Sequence, residues 1–582
     1  MQFRSAKEKI NPVEFEGPVP WRRIAVYLKP ALIPVRTTII FMVVVTTISS
    51  LIALIPPYIG KQLFDKGIST GNNENIIKYG LFSILLILIA ATLRYLSKIS
   101  YAKVNNRFSL GLQNRLLTRL VNLPLDFFDN KQSGYLAGRV NEADAVAGLF
   151  SPTLFQFISS IFQGIIAIVI SMNISSKVTL IMLPFLLLLA IIIVWINGVL
   201  RRTTYDLMET SASTQGALQE IIFGINDIKN YDIQNRKLSD TLRQYKNVAE
   251  KRIKQTMYLS AGTESLTFIT SAFSVILMMM IGTYIAKGQL TLGDYIALSG
   301  YSIMILTPAQ MLGGVVAIFQ PILISLRRLL FFFESKTESE ICGNRKVVKI
   351  NGEINFKEVT FGYEDNKPVL NKCNLTICQG ECVAILGKNG SGKSTILKLT
   401  LGLYQKYSGV ILIDQIDIRD LNTMSLREKI GIVSQNVFLF HGSLLDNLKL
   451  ASPNASIEAI ERAVTLSGCK TLFDDYNHVQ IEEFGSNLSG GQRQAASVAR
   501  CILKDPDLLM FDEATAHLDN ETRRVVLSAI KSVFKERTRI IITHDKEVAS
   551  IADRVYLLEE GGIKELNHME EGWVEEDNII RY

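Results

Sequence analysis

No cysteine and no histidine occurs in residues 1–340 of this 582-residue chain. That stretch therefore holds neither a Cys/His peptidase dyad nor a Cys/His metal site. The six cysteines, Cys342, Cys373, Cys378, Cys382, Cys469 and Cys501, all come later, and none forms a CxxC pair. Neither zinc nor a redox dithiol is signalled, and reduced thiols in a cytosolic compartment fit this usage. Charge is scarce too. Only 20% of residues are charged against 48% hydrophobic, and mean hydropathy is +0.22, which points to helices embedded in a membrane. A secretory leader pattern is missing, because charged residues from Arg4 to Lys29 precede any long apolar run. The net charge of +7 is modest, and its placement matters more than its size.

What is present, first, is long uncharged runs. They occupy 37–60, 79–93, 145–176, 178–200, 265–286 and 295–326. A helix crossing a bilayer needs about 20 apolar residues, so five runs suffice outright. The run 79–93 needs Tyr95–Ser97 beyond Arg94, and Arg94 and Lys98 at its inner end can snorkel. Six spans are expected. The connections 61–78, 173–177 and 287–294 are short, whereas 94–144 and 201–264 are long and rich in Lys and Arg. The positive-inside bias puts both long segments and the basic N-terminus in the cytoplasm. Each long segment reads mostly as helix with a break midway, the first at Leu123–Phe128 and the second around Gly216–Gly224. Their tips are either docking knobs for another domain or ordinary loops.

From Val347 the character changes. Gly352–Tyr363 alternates like a strand, and short apolar runs end in glycines, as in an α/β domain. The apolar run Glu381–Leu386 leads into Gly387-Lys388-Asn389-Gly390-Ser391-Gly392-Lys393-Ser394-Thr395, which fits G-x-x-x-x-G-K-[ST] between strand and helix. Its glycines let backbone N–H groups wrap phosphates, Lys393 brings charge to the β/γ-phosphates, and the Ser394 hydroxyl suits Mg²⁺. A second strand, Leu508–Phe511, ends in Asp512-Glu513. There Asp512 would hold the metal and Glu513 would orient and deprotonate the attacking water.

Asn487-Leu488-Ser489-Gly490-Gly491-Gln492 resembles the LSGGQ signature of ATP-binding cassette proteins, and further matches follow in that family's order. Tyr363 matches the adenine-stacking aromatic, Gln435 the glutamine of Val433-Ser434-Gln435, Ala516-His517-Leu518-Asp519 the D-loop, and His544 the histidine of Thr543-His544-Asp545. The resemblance covers essentially the whole chain, whose first half is similar to exporter-type half-transporters.

It implies a multi-domain fold: an N-terminal cytoplasmic elbow over 1–34, an all-α six-helix transmembrane domain over 35–335, and an α/β phosphate-loop domain over 345–582. It implies ATP and Mg²⁺ as cofactors. Catalytic roles carry over to Glu513, His544 and Gln435, and nucleotide contacts to Tyr363, Gly387, Asn389, Gly390, Gly392, Lys393, Ser394, Thr395, Ser489 and Gly491. The metal would be held by Ser394, Gln435 and Asp512. Ser489 and Gly491 would cap the γ-phosphate bound by a second subunit, and Glu483 would contact the partner's coupling helices. The D-loop departs from the family at His517, where a methyl is usual, and Ala495 stands where a basic residue is common.

Other residues have two readings. Arg94 and Lys98 either snorkel or line a cavity for anionic cargo. Gln156, Gln163, Gln310 and Gln320 either touch cargo or bond neighbouring helices. Pro308 and Pro321 can kink the last span, and Phe331–Phe333 suits a domain junction.

The expectation that follows is ATP-driven transport across a bacterial cytoplasmic membrane. The chain would act as a multi-pass ATPase exporting a lipid, drug or peptide of hydrophobic or amphipathic character. The partner would be a second copy, a heterodimer being the alternative. Rival readings are an importer on the same architecture and an ATP-gated channel. Six spans exclude a soluble cassette protein working on nucleic acid, and the missing Cys/His pair excludes a papain-like leader peptidase within the first half.

Overall fold

The computed structural model describes residues 20–129, 133–364, 367–472, 478–515, 518 and 520–566. Two compact units emerge, one of Met1–Val121 with Lys131–Ser335, the other of Asn122–Asn130 with Lys336–Tyr582.

Among its described residues the first unit is built of helices. Its helices are α1 (Trp21–Leu32), α2 (Arg36–Ile52), α3 (Ile55–Leu63), α4 (Asn73–Val121), α5 (Ser133–Ala147), α6 (Pro152–Ile174), α7 (Ser176–Phe223), α8 (Ile225–Asn230), α9 (Gln234–Ala286) and α10 (Leu292–Glu334). Among the described residues, five helical stretches are long and apolar enough to cross a membrane. The fourth expected span lies within α7, a single 48-residue helix. Although its uncharged run is short, α4 continues unbroken for 49 residues. At about 1.5 Å per residue it outruns a ~30 Å hydrocarbon layer more than twofold, so its basic half projects beyond the membrane.

Burial along α4 explains the continuity. Leu86, Ala90, Ser97, Tyr101, Val104, Phe108, Leu112 and Leu116 recur at helical spacing and are buried, whereas Leu81, Ile84 and Leu88 on another face are exposed. Packing covers one stripe and leaves an apolar stripe suited to lipid. Elsewhere the unit is closed by Phe185 stacked on Phe273 with centroids 3.9 Å apart. Below the spans, Arg328 Nη1 donates to Glu142 Oε1 at 2.9 Å, and Asp144 accepts from Ser109 and Gln113. At the short-connection end Lys61 pairs with Asp294 at 2.6 Å, and Asp65 accepts from Thr291 and from the Gly293 N–H.

The second expected break falls at the far end of its interval, at Gly224. Instead of opening at Gly216, α7 runs through it to Phe223, and Gly224 ends the helix with its N–H on the Glu220 carbonyl. One glycine inside a helix costs only about 1 kcal/mol against alanine, which the rest of α7 offsets. The chain then makes α8 and turns at Tyr231–Ile233, with Asp232 at φ 52°.

The second unit holds the sheets. Its strands are β1 (Ile354–Phe361), β2 (Leu370–Ile377), β3 (Cys382–Leu386), β4 (Ser408–Ile413), β5 (Ile416–Asp417), β6 (Ile430–Val433), β7 (Gly442–Ser443), β8 (Gln480–Ile481), β9 (Leu508–Asp512), β10 (Thr538–Ile542), β11 (Arg554–Glu559) and β12 (Gly562–Leu566). An antiparallel sheet runs β2-β1-β4-β5; the main sheet runs β12-β11-β3-β10-β9-β6. Its strands from β11 to β6 are parallel, and β12 alone is antiparallel. Near-continuous apolar strands such as β10 are buried on both faces, as a parallel sheet under helices requires. The first cytoplasmic tip belongs to this unit. Leu125 packs against the core of Phe356, Phe361, Leu401 and Tyr404, among others, so this tip is a docked element and not a free loop.

Candidate nucleotide site

After Leu386 the chain turns through Gly387–Gly392 into the helix Lys393–Thr400. Gly387, Gly390 and Gly392 take φ of 154°, 80° and 106°. A β-carbon at Gly387 would lie 2.6 Å from the Leu558 carbonyl oxygen, and at Gly392 2.8 Å from Val369 Cγ1. Glycine alone suits both the backbone conformation and the space. Asn389 and Gly390 are exposed at the loop's crest, and Thr395 is buried below it.

The loop is short of negative charge. Lys393 is buried, and its Nζ donates to the carbonyls of Gly387 at 2.7 Å and Lys388 at 3.0 Å. Burial holds this lysine below the ordinary range, against the opposing pull of Glu513 and Asp512. Among the described residues, Ser391 Oγ is buried with no hydrogen-bond partner. An unmet buried hydroxyl costs about 1–3 kcal/mol, which a phosphate oxygen would offset. The residues present thus fit a polyphosphate.

Strand order assembles the rest. The neighbours β3, β10, β9 and β6 lie parallel. At their carboxyl ends they deliver, in turn, the phosphate loop, His544, Asp512-Glu513 and Gln435. Ligands bind at this edge of parallel sheets because loops and helix N-termini gather there. Burial pushes Asp512 above the usual carboxylate range; the Ser394 hydroxyl bonded to it pulls it back, Glu513 pushes it further, and Lys393 opposes.

Glu513 has φ 50°, a left-handed conformation for a non-glycine residue, fixed by its N–H on the Ile542 carbonyl at 3.0 Å. Such strain costs of order 1–3 kcal/mol and clusters at functional sites. Its Oε2 accepts from Gln435 Nε2 at 2.6 Å, and its Oε1 lies 3.5 Å from His544 Nδ1. The three expected catalytic side chains therefore meet around one carboxylate.

Tyr363 instead meets the phosphate-loop helix. It is half exposed, its hydroxyl is 3.1 Å from Thr395 Oγ1, and Lys398 Nζ lies 5.3 Å from its ring centroid. Ser489 and Gly491 are elsewhere again, at the N-terminus of the helix Gly490–Lys504. Ser489 caps that helix reciprocally with Gln492, and among the described residues neither Ser489 nor Gly491 joins the phosphate-loop group. Glu483 is exposed in a short turn in which Phe484 has φ 59°. Ala495 is fully buried against Leu439, Leu444 and Leu448, which accounts for the missing basic residue there. Of the D-loop, Ala516, His517 and Asp519 lie outside the described residues.

Four neighbours escaped the sequence reading. Ser391 was passed over inside the motif, while Lys398, Tyr404 and Asp129 carry no spacing signal and are brought in only by folding.

A phosphate loop, strand-end carboxylates and a capped signature helix, on a chain whose other unit is built to cross a bilayer, define a membrane ATPase that drives transport. Comparison with known proteins names the group. The ABC transporter transmembrane region family matches residues 39–325, and the ABC transporter family matches residues 370–516. The chain is 31% identical to the alpha-hemolysin translocation ATP-binding protein HlyB of Escherichia coli, over 95% of this chain and 79% of that one. It is 30% identical to the toxin RTX-I translocation ATP-binding protein of Actinobacillus pleuropneumoniae, with the same shares covered. A bacterial Atm1-family ABC exporter with ATP bound has the same fold, at TM-score 0.81 and 23% identity over 92% of this chain and 95% of that one. The chain belongs to the ABC transporter family. It is a multi-pass membrane protein with an ATP-binding domain in the cytoplasm.

Proposed function

We propose that two copies of this chain pair and use ATP hydrolysis to export a hydrophobic or amphipathic cargo, a polypeptide foremost. Relatives named for toxin translocation support the cargo class. The observation that carries the chemistry is the strained, shielded Glu513 between Gln435 and His544.

In this reading the loop N–H groups, Lys393 and the Ser391 hydroxyl bind the triphosphate, Asn389, Gly390 and Thr395 line it, and Tyr363 stacks on the base. Ser394, Asp512 and Gln435 would hold Mg²⁺, which would neutralise phosphate charge when bound. Glu513 takes the proton of the attacking water, Gln435 aligns that water, and His544 contacts the γ-phosphate. Ser489 and Gly491 serve the site of the other copy, since their helix N-terminus offers N–H groups to an anion that its own phosphate loop does not bring to it. Because the phosphate loop, Glu513, the signature and His544 are all present, both sites of a homodimer would turn over.

Glu513→Gln tests this directly. ATP affinity should stay within a few-fold of the parent while turnover falls by roughly 10²–10⁴, the usual worth of a positioned base. Parental turnover in that variant would remove Glu513 from the role.

A further inference from the structure

Past the phosphate-loop helix the chain makes contacts that nucleotide chemistry does not require. The helix closes at Leu401 and Gly402, and Tyr404 follows. Tyr404 is buried among aromatics: its ring stands edge-on to Tyr363, with centroids 5.5 Å and planes 85° apart, and lies 5.2 Å from Phe361. Its hydroxyl donates to both carboxylate oxygens of Asp129, at 2.9 Å each. Asp129 sits in the first cytoplasmic tip, a few residues beyond the end of α4 at Val121. One side chain therefore touches the base-stacking ring at one end and the tip at the other.

The frame around it is stiff. Arg427 donates from Nε to the Leu401 carbonyl at 2.9 Å and from Nη2 to the Gly402 carbonyl at 3.2 Å, tying down the helix end. Its Nη1 also reaches Glu338 Oε2 at 3.0 Å, and the Glu338 N–H donates to the Asn122 carbonyl at 2.8 Å. The tip's entry, at Asn122, and the helix end are thus held together, and Tyr404 spans between them to Asp129. The Lys406–Asp126 pair nearby is 3.5 Å long with the lysine almost wholly exposed, so it adds little.

The hydroxyl has no part in packing. Phenylalanine would fill the same space beside Tyr363 but leave Asp129 without this donor. Burial, and then the bond to Asp129, both push the phenol above its ordinary range, so it remains a donor throughout the physiological range.

We propose that Tyr404 is a positioning residue that links the setting of Tyr363, and hence the arrival of an adenine base, to the first cytoplasmic tip. This rests on the nucleotide reading above, with Tyr363 as the stacking ring. A base seated on the exposed side of Tyr363 restrains that ring, the edge contact restrains Tyr404, and the twin bonds restrain Asp129.

The experiment uses the full chain in nanodiscs in the Glu513→Gln background, with hydrogen exchange read over residues 122–129 with and without Mg-ATP. ATP should slow exchange there about tenfold in the parent. Tyr404→Phe should bind ATP within about threefold of the parent yet lose that slowing; Asp129→Ala should do the same, and the double variant should lose nothing more, as expected for partners in one link. Slowing that persists in Tyr404→Phe, or losses that add in the double variant, would overturn the proposal. So would a more than roughly tenfold fall in ATP affinity for Tyr404→Phe, which would make Tyr404 a binding residue instead. A parent that binds no ATP would sink the nucleotide reading itself, and is told apart because in the other failures ATP binds.

Discussion

The two cytoplasmic tips share a plan and differ in cover. Each follows a helix of nearly 50 residues and carries apolar side chains at a short turn. The first is folded into the nucleotide unit, where Leu125 meets the core and Asp129 meets Tyr404. The second belongs to the helical unit, and Phe223 and Tyr231 there are 73% and 75% exposed, with Ile222 and Ile225 beside them. A cluster of bare aromatic and aliphatic residues on a water-facing turn marks a contact surface. Each tip taken within its own unit, the first is covered and the second is bare, and in the proposed dimer a second copy would cover it.

That contrast can be broken by putting the same charge into both tips. Leu125→Asp should free the first tip at a cost of about 2 kcal/mol, read as a roughly thirtyfold rise in exchange over residues 122–129. Phe223→Asp should leave the isolated protomer's denaturant midpoint unmoved yet weaken ATP-dependent pairing about tenfold, as loss of one aromatic anchor does. Sedimentation of the Glu513→Gln protein with ATP measures it, and unaltered pairing would mean the bare turn meets nothing. The smallest effect belongs to the Glu220–Lys237 pair beside the second tip, 3.1 Å long with both side chains well exposed. Glu220→Gln should shift stability by less than about 0.5 kcal/mol, because exposed ion pairs are screened; a larger shift in thermal unfolding would mean that this turn is more ordered by charge than its exposure implies.

How far the chain could be read in advance varies with how local each demand is. The phosphate loop was legible because positive φ and close approach at Gly387 and Gly392 restrict those positions to glycine. Spans were legible from uncharged runs, although the run 79–93 understated α4, since basic residues beyond the membrane continue a helix as readily as apolar ones. The second break was legible only as the interval Gly216–Gly224, because glycine weakens a helix without necessarily ending it: α7 passes through Gly216 and stops at Gly224. Ala495 had no explanation until the helix Gly490–Lys504 turned that position into a small apolar core.

The residue pattern alone determined the bilayer helices, the polyphosphate loop and the carboxylates at the end of β9, because each depends on neighbours a few positions away. Tertiary structure alone decided that Gln435, Glu513 and His544 converge, that Tyr404 bridges Tyr363 and Asp129, and that the first cytoplasmic tip docks on the core of its own unit. Those outcomes follow from the order β3-β10-β9-β6 and from packing between segments hundreds of residues apart. Hydrogen bonds of that reach form only once the sheet has placed both partners, and no spacing along the chain encodes them.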